Sequence, residues 1–285
     1  MTIEFLRPTT LRGALQTLAE SGEEAKLLAG GTALSILLRH KLIEPRRLVS
    51  LEALPELRTV QTCEQGLQVG SMVRLRDIER SATIRESYPI LAAACGEVGN
   101  VRVRNQATLG GNLAEADYAS DPPTALLALN ATVRIASLAG DRTVPISEFF
   151  QGFFTTVLEP REILVEILIP PLPKSARGAY LKYKSRSSED RPCVVVAAVA
   201  DFQDGLCREL RVAVGAACET PRRLPEVEAL ASGQQLTEDR VAQIAEAYSE
   251  QIETIEDLRG SGWYRREMIR VFVRRALREV QAVSR

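Results

Sequence analysis

The chain has 285 residues, room for about two domains, and its 45% hydrophobic and 26% charged residues are ordinary globular usage. Disorder and fibrous repeats are therefore excluded. Thirty-six basic against thirty-seven acidic residues leave a net charge of -1, which gives no global electrostatic reason to bind nucleic acid or an anionic membrane. In chain order, Ile3 to Leu6 reads as a strand, then Leu11 to Ala19 as a helix with Thr10 as N-cap and Gly22 as the stop beyond it. Ala25-Lys26-Leu27-Leu28 is the next strand. It runs straight into Ala29-Gly30-Gly31-Thr32 and a helix from Ala33 to Arg39. Strand, glycine turn, helix is the order in which bare backbone N–H groups at a helix start face a phosphate.

A short strand at Leu48 to Ser50 and a hairpin of Thr59–Thr62 with Leu67–Gly70 follow, then helices near Leu75–Ser81 and Ile90–Val98. Next comes Asn100-Val-Arg-Val-Arg-Asn-Gln-Ala-Thr-Leu-Gly-Gly-Asn112, a polar stretch, and a helix from Thr124 to Leu129 behind Asp121-Pro122-Pro123. Thr132–Ser137 and Arg142–Pro145 read as a second hairpin, and Ile163 to Ile169 as a buried strand ended by Pro170-Pro171. Past Pro173 the pattern becomes strands and then helices. Arg177–Lys184, Val194–Phe202 and Cys207–Ala216 predict an antiparallel meander; Leu224–Ser232, Thr237–Tyr248 and Gly262–Arg278 predict helices. The expected domains are 1–173, with sub-parts of about 1–53 and 54–173, and 174–285.

Eighteen glycines produce about one adjacent pair by chance and the chain has two, so counting leaves two plain tight turns as a full alternative to two binding loops. Neither pair fits G-x-x-x-x-G-K-[ST] or G-x-G-x-x-G, which disfavours a Walker ATPase and a standard dinucleotide fold. Cys63, Cys95, Cys193, Cys207 and Cys218 stand far apart without a C-x-x-C pair, so no metal cluster is expected on this chain. The odd count, with no signal-like start and no apolar run of about 18 residues, predicts reduced thiols and a cytoplasmic protein without a membrane span.

Taken together and in order, Leu27-Leu28-Ala29-Gly30-Gly31-Thr32, Val101 to Asn112, Asp121-Pro122, Glu162-Ile163-Leu164 and Tyr180-Leu181-Lys182 resemble the FAD-binding (medium) subunit of the molybdenum hydroxylases, the xanthine dehydrogenase and carbon monoxide dehydrogenase type. Tyr264-Arg265-Arg266 and Arg274-Arg275-Ala276-Leu277 resemble the family's closing helix. The resemblance implies an α+β fold: a two-part α/β FAD-binding domain (PCMH-type), then a three-stranded antiparallel sheet with helices. It implies non-covalent FAD on this chain, with molybdopterin on a large partner subunit and [2Fe–2S] clusters on a small one, in a dimer of heterotrimers. Electrons would pass from those clusters to FAD and on to NAD or another acceptor.

Carried over residue by residue, Ala29, Gly30, Gly31, Thr32 and Ala33, flanked by Leu28 and Leu34, are the first pyrophosphate loop. Thr108, Leu109, Gly110, Gly111 and Asn112 are the second. Val98 and Leu164 correspond to apolar positions close to the flavin, Asp121 to an acidic residue accepting hydrogen bonds from FAD, and Lys182 to a lysine approaching from the tail. The resemblance implies no side-chain acid, base or nucleophile, and none is assigned. On the residues alone Asp121 equally suits a helix cap, Leu164 a core position, and Lys184 the same strand face as Lys182. Tyr118 stands where relatives often have proline. A free-standing flavin oxidase, its flavin held through histidine or cysteine, and a non-enzymatic assembly protein remain as alternatives.

Overall fold

The structure is a computed structural model, and it describes residues 3–184, 187 and 189–282; the outer ends of the two expected domains lie outside these. Fourteen strands make four sheets among the described residues. In chain order the strands are β1 (Glu4–Leu6), β2 (Ala25–Leu28), β3 (Arg47–Ser50), β4 (Val60–Cys63), β5 (Gly66–Gly70), β6 (Thr132–Ser137) and β7 (Gly140–Pro145). They continue as β8 (Phe150–Gly152), β9 (Thr155–Thr156), β10 (Ile163–Ile169), β11 (Ala176–Tyr183), β12 (Val194–Gln203), β13 (Leu206–Gly215) and β14 (Arg222–Arg223). The first sheet is parallel, in the order β1-β3-β2. The second is antiparallel, β4-β5-β10-β6-β7, and the third runs β11-β12-β13-β14.

Local chemistry explains most boundaries. Thr10 accepts from the Gly13 N–H and opens the helix Leu11–Ser21, which stops at Gly22 with φ 55°. Ser81 caps the helix Ala82–Ser87 in the same way, an element the sequence reading passed over. The second glycine pair is neither a loop nor a tight turn. It forms the first turn of the helix Leu109–Glu115, whose N-cap is Thr108. Short pieces at Val101–Arg104, Ile146–Phe149, β8 and β9 carry too little periodicity to be read in advance. The third sheet has its three expected long strands plus the two-residue β14 as a fourth.

β12 is buried along Val194–Asp201 because both faces of its sheet are covered. On one side lie the helices Glu238–Gln251 and Gly262–Ala282, around a core that includes Val196, Val212, Ile244 and Phe272. On the other side Ala197, Val199 and Ala213 join the core of the five-stranded sheet. Two glycines let that second contact close. A Cβ on Gly178 would lie 2.6 Å from Ile90 Cγ2, and one on Gly215 would lie 2.0 Å from Thr124 Oγ1. The helices Pro89–Gly96 and Pro122–Ala128 therefore sit directly on β11 and β13. That packing brings the end of each helix region to the same edge as Lys182.

Candidate functional site

A cleft of about 1070 Å³ opens where the three sheets meet, at the large end of the range for small-molecule sites. Of the sixteen residues singled out from sequence, fourteen line it: Ala29, Gly30, Gly31, Thr32, Ala33, Leu34, Val98, Thr108, Gly110, Gly111, Asn112, Asp121, Leu164 and Lys182. Leu28 and Leu109 do not. Leu28 stands behind Gly31, its Cδ1 3.2 Å from where a Cβ would be, and Leu109 is fully buried in the core.

The first glycine loop and the helix start that carries Gly110 and Gly111 touch each other. A Cβ on Gly30 would lie 2.1 Å from the Gln106 carbonyl oxygen, and one on Gly111 would lie 2.9 Å from Thr108 Oγ1 and 3.3 Å from Ala29 Cβ. Gly110 is pressed equally hard, with Ser71 Cβ 2.4 Å and Leu164 Cδ2 2.9 Å from its absent side chain. Gly30 and Gly110 are thus required first for backbone packing, and the approach of a ligand comes on top of that. Their N–H groups differ in kind. At the helix start Leu109 donates to Val73 O (2.9 Å), Gly110 to Ser71 O (2.8 Å), Gly111 to Thr108 Oγ1 (3.1 Å) and Asn112 to Thr108 O (2.9 Å). In the first loop the N–H groups of Gly30, Gly31, Thr32 and Ala33 have no backbone acceptor among the described residues. Gly31 has φ 72°, a left-handed conformation that glycine adopts without strain. Each segment was expected to offer N–H donors to the pyrophosphate; here the first carries the free donors and the second holds them in place.

Asp121 occupies the N-cap position of the helix Pro122–Ala128 and makes no capping bond. Its Oδ1 accepts from the Tyr180 hydroxyl at 2.6 Å and its Oδ2 from Lys182 Nζ at 2.9 Å. Lys182 Nζ also donates to the Glu97 carbonyl at 2.7 Å, and both side chains of this ion pair are under 5% exposed. Burial pushes the Asp121 carboxyl above the usual carboxylate range, against the opposing pull of Lys182 and Tyr180. Lys184 lies on the same strand face, pairs with Glu97 and does not line the cleft. Leu164 is both core and wall: it is 5% exposed, packs in the main core, and precedes a bulge in β10 that shifts the register between Leu164 and Glu166.

Several contributors were not legible beforehand. Arg104 bonds Glu79 (2.9 Å) and the carbonyls of Val98 (3.2 Å) and Gly99 (3.0 Å), so it fixes the turn that carries Val98 into the cleft. Burial raises the Glu79 carboxyl, but Arg76 and Arg104 win and hold it below its ordinary value. Arg191 reaches Asp117 at the cleft edge, and Glu115 beside them has its carboxyl raised by burial and by Asp117. Tyr118 does not line the cleft. It donates to Asp257 Oδ2 at 2.7 Å and stands edge-on to Phe153 and Phe154, which carries φ 53° and donates its N–H to Ala116 O. His40 ends the helix Leu34–Arg39 and is exposed.

Three basic side chains (Lys26, Lys182, Arg191) and eight acidic ones line the cleft. An anion seated here is met by backbone N–H dipoles rather than by a cationic wall. No group of three or more His, Cys, Asp or Glu side chains is placed to hold a metal ion among the described residues. No helix there is long and apolar enough to cross a membrane.

The fold and the cleft together define a flavin-nucleotide-binding subunit. Residues 1–172 match the family described as FAD binding domain in molybdopterin dehydrogenase, and 179–280 match the CO dehydrogenase flavoprotein C-terminal domain, so the chain belongs to the FAD-binding (medium) subunits of the molybdenum hydroxylases and is an oxidoreductase subunit. It is 34% identical over 276 residues to the glyceraldehyde dehydrogenase medium chain of Sulfolobus acidocaldarius, covering 97% of each chain. It is 32% identical over 282 residues to the xanthine dehydrogenase FAD-binding subunit of Escherichia coli O157:H7, covering 98% of this chain and 96% of that one. Carbon monoxide dehydrogenase from Hydrogenophaga pseudoflava superposes with a TM-score of 0.95 at 31% identity, covering 99% of this chain and 98% of that chain. The residues present fit FAD: unpaired N–H donors at a glycine turn, a glycine-bearing helix start abutting it, an apolar wall and a buried ion pair share one cleft.

Proposed function

We propose that this chain binds FAD non-covalently and relays electrons from [2Fe–2S] clusters of a small partner subunit to NAD or another acceptor. Hydroxylation takes place at molybdopterin on a large partner subunit, within a dimer of heterotrimers. The carrying observation is that a glycine loop and a glycine-bearing helix start about eighty residues apart in sequence meet in one cleft with the Asp121–Lys182 pair, the loop offering unpaired N–H donors. When bound, FAD supplies the exchange between one-electron and two-electron transfer. The residues of this chain bind and orient it. Gly30, Gly31, Thr32 and Ala33 donate to the pyrophosphate, while Thr108 to Asn112 hold that loop in register. Val98 and Leu164 give the flavin an apolar surface, and Asp121 and Lys182 fix its polar contacts. No cysteine or histidine lines the cleft among the described residues, which supports non-covalent binding over the covalent oxidase reading. Residues 1–173, in sub-parts of about 1–53 and 54–173, form the FAD-binding domain and 174–285 the C-terminal domain. The cytoplasm suits five cysteines that are all free thiols.

The test is to load the purified chain with FAD, reduce it photochemically, and mix it with NAD, dioxygen and a soluble quinone in turn. Reoxidation by at least one acceptor, at about 1 per second or faster, supports the relay. Bound FAD that none of them reoxidises favours the non-enzymatic alternative.

A further inference from the structure

We propose that Tyr180 is a positioning residue of the cofactor site, acting through Asp121 to fix the charge that the cleft presents to the flavin. The inference rests on the FAD reading above and adds a residue outside the cleft wall. Tyr180 does not line the cleft; its ring packs between two cores, and its hydroxyl reaches the far oxygen of Asp121 at 2.6 Å. β11 alternates, so Tyr180 and Lys182 leave the same face two residues apart and take one carboxylate oxygen each. The pairing is a division of two donors over two acceptors, with Lys182 further anchored on the Glu97 carbonyl.

Chemistry explains why two donors are needed. A carboxylate this deeply buried costs free energy unless its oxygens are hydrogen-bonded. Burial already pushes Asp121 upward, so loss of one donor tips it toward the neutral acid. Burial and Asp121 together hold the Tyr180 hydroxyl far above its ordinary value, which keeps it a donor at every relevant pH. The other charged or titratable groups facing Asp121 are Lys182 on the same strand, and Glu97 and Cys95 from the end of the helix Pro89–Gly96. Glu97 is itself held by Lys184, and burial keeps the Cys95 thiol protonated. Protonation of Asp121 therefore leaves Lys182 as an unbalanced positive charge beside the cofactor, favouring the reduced flavin.

Tyr180→Phe removes one O–H and keeps the ring. In the FAD-loaded full chain, the ratio of reduced to oxidised flavin is read at a fixed dye potential from pH 8 down to pH 6, with wild type as reference. In the variant that ratio rises about tenfold beyond the wild-type change, because the uncompensated Lys182 charge favours the more negative, reduced flavin. The thermal midpoint of the FAD-free chain stays within a few degrees of wild type. Asp121→Asn, which cannot ionise, abolishes the effect: the double variant Asp121→Asn with Tyr180→Phe behaves as Asp121→Asn alone. A wild-type pH profile in Tyr180→Phe overturns the proposal. So does a lowered thermal midpoint with that profile unchanged, which is a packing role only. Wild type that binds no FAD would instead sink the functional reading, so the two failures are distinct.

Discussion

Gly111→Asp probes the contact between the first glycine loop and the helix start at Leu109. Its new Cβ starts 2.9 Å from Thr108 Oγ1 and 3.3 Å from Ala29 Cβ, so the side chain points at the first loop and disturbs the Thr108 cap. Losing that cap costs about 1 kcal/mol, a cost shared by the neutral Gly111→Ala. The aspartate adds a negative charge beside the donors that receive the pyrophosphate. At ~5 Å and an effective dielectric of ~20, the repulsion from one phosphate charge is about 3 kcal/mol. FAD affinity should therefore fall roughly fivefold in Gly111→Ala and about a thousandfold in Gly111→Asp. The assay is flavin fluorescence quenching on apoprotein, with the flavin-to-protein ratio after gel filtration as a check. If Gly111→Asp keeps stoichiometric FAD, or if Gly111→Ala loses as much as Gly111→Asp, the charge argument and the placement of the pyrophosphate at the first loop both fail.

Lys182→Met strands Asp121 without its cation; we expect about 3 kcal/mol lost in urea unfolding at pH 7 together with loss of FAD, and a stability change below about 1 kcal/mol would mean the pair is not buried as described. Asp257→Asn tests the Tyr118–Asp257–Arg259–Arg265 cluster. Burial raises the Asp257 carboxyl, but hydrogen bonds from Tyr118, the Arg259 N–H and Arg265 hold it well below its ordinary value. Its stabilisation is thus present above the unfolded carboxylate pKa near ~4 and is lost as pH falls through the lower folded value. Unfolding curves of wild type and Asp257→Asn should differ at pH 7 and converge in acid; a gap that widens below about pH 4 would contradict this. Finally, with three basic against eight acidic residues at the cleft, FAD affinity should change less than about threefold between ~20 mM and ~500 mM salt. A tenfold loss at high salt would show that ion pairs rather than N–H dipoles hold the phosphates.

How much of this was legible in the sequence varied with the range of the interaction. Elements defined by local chemistry came out within a residue or two: β2 and β10 by their apolar runs, the helix Leu11–Ser21 by Thr10 and Gly22, and the long strands around Gln203-Asp204-Gly205 by their apolar runs and the turn between them. The second glycine pair was located but given the wrong conformation. Glycine is a poor helix former, and what holds Gly110 and Gly111 helical is Thr108 beneath them and the Ser71 backbone against them. The two-residue β14 and the pieces around Phe150 to Thr156 depend on neighbours distant in sequence, so no local period announces them. Asp121 and Lys182 entered only through resemblance, since their ion pair spans 61 residues. Tyr180 lay inside a quoted motif without a role, although its position two residues before Lys182 on one strand face was the available signal. Arg104 carries no pattern that marks it in the sequence, yet it is 13% exposed and clamps Val98 through contacts five and six residues away and with Glu79.

The decisive measurement is the visible spectrum of the full chain purified alone, before and after acid precipitation. A yellow protein that releases free FAD into the supernatant, one per chain, is the predicted result. Colour that stays with the precipitate would contradict non-covalent binding, and a colourless chain that takes up no FAD on reconstitution would contradict the relay itself.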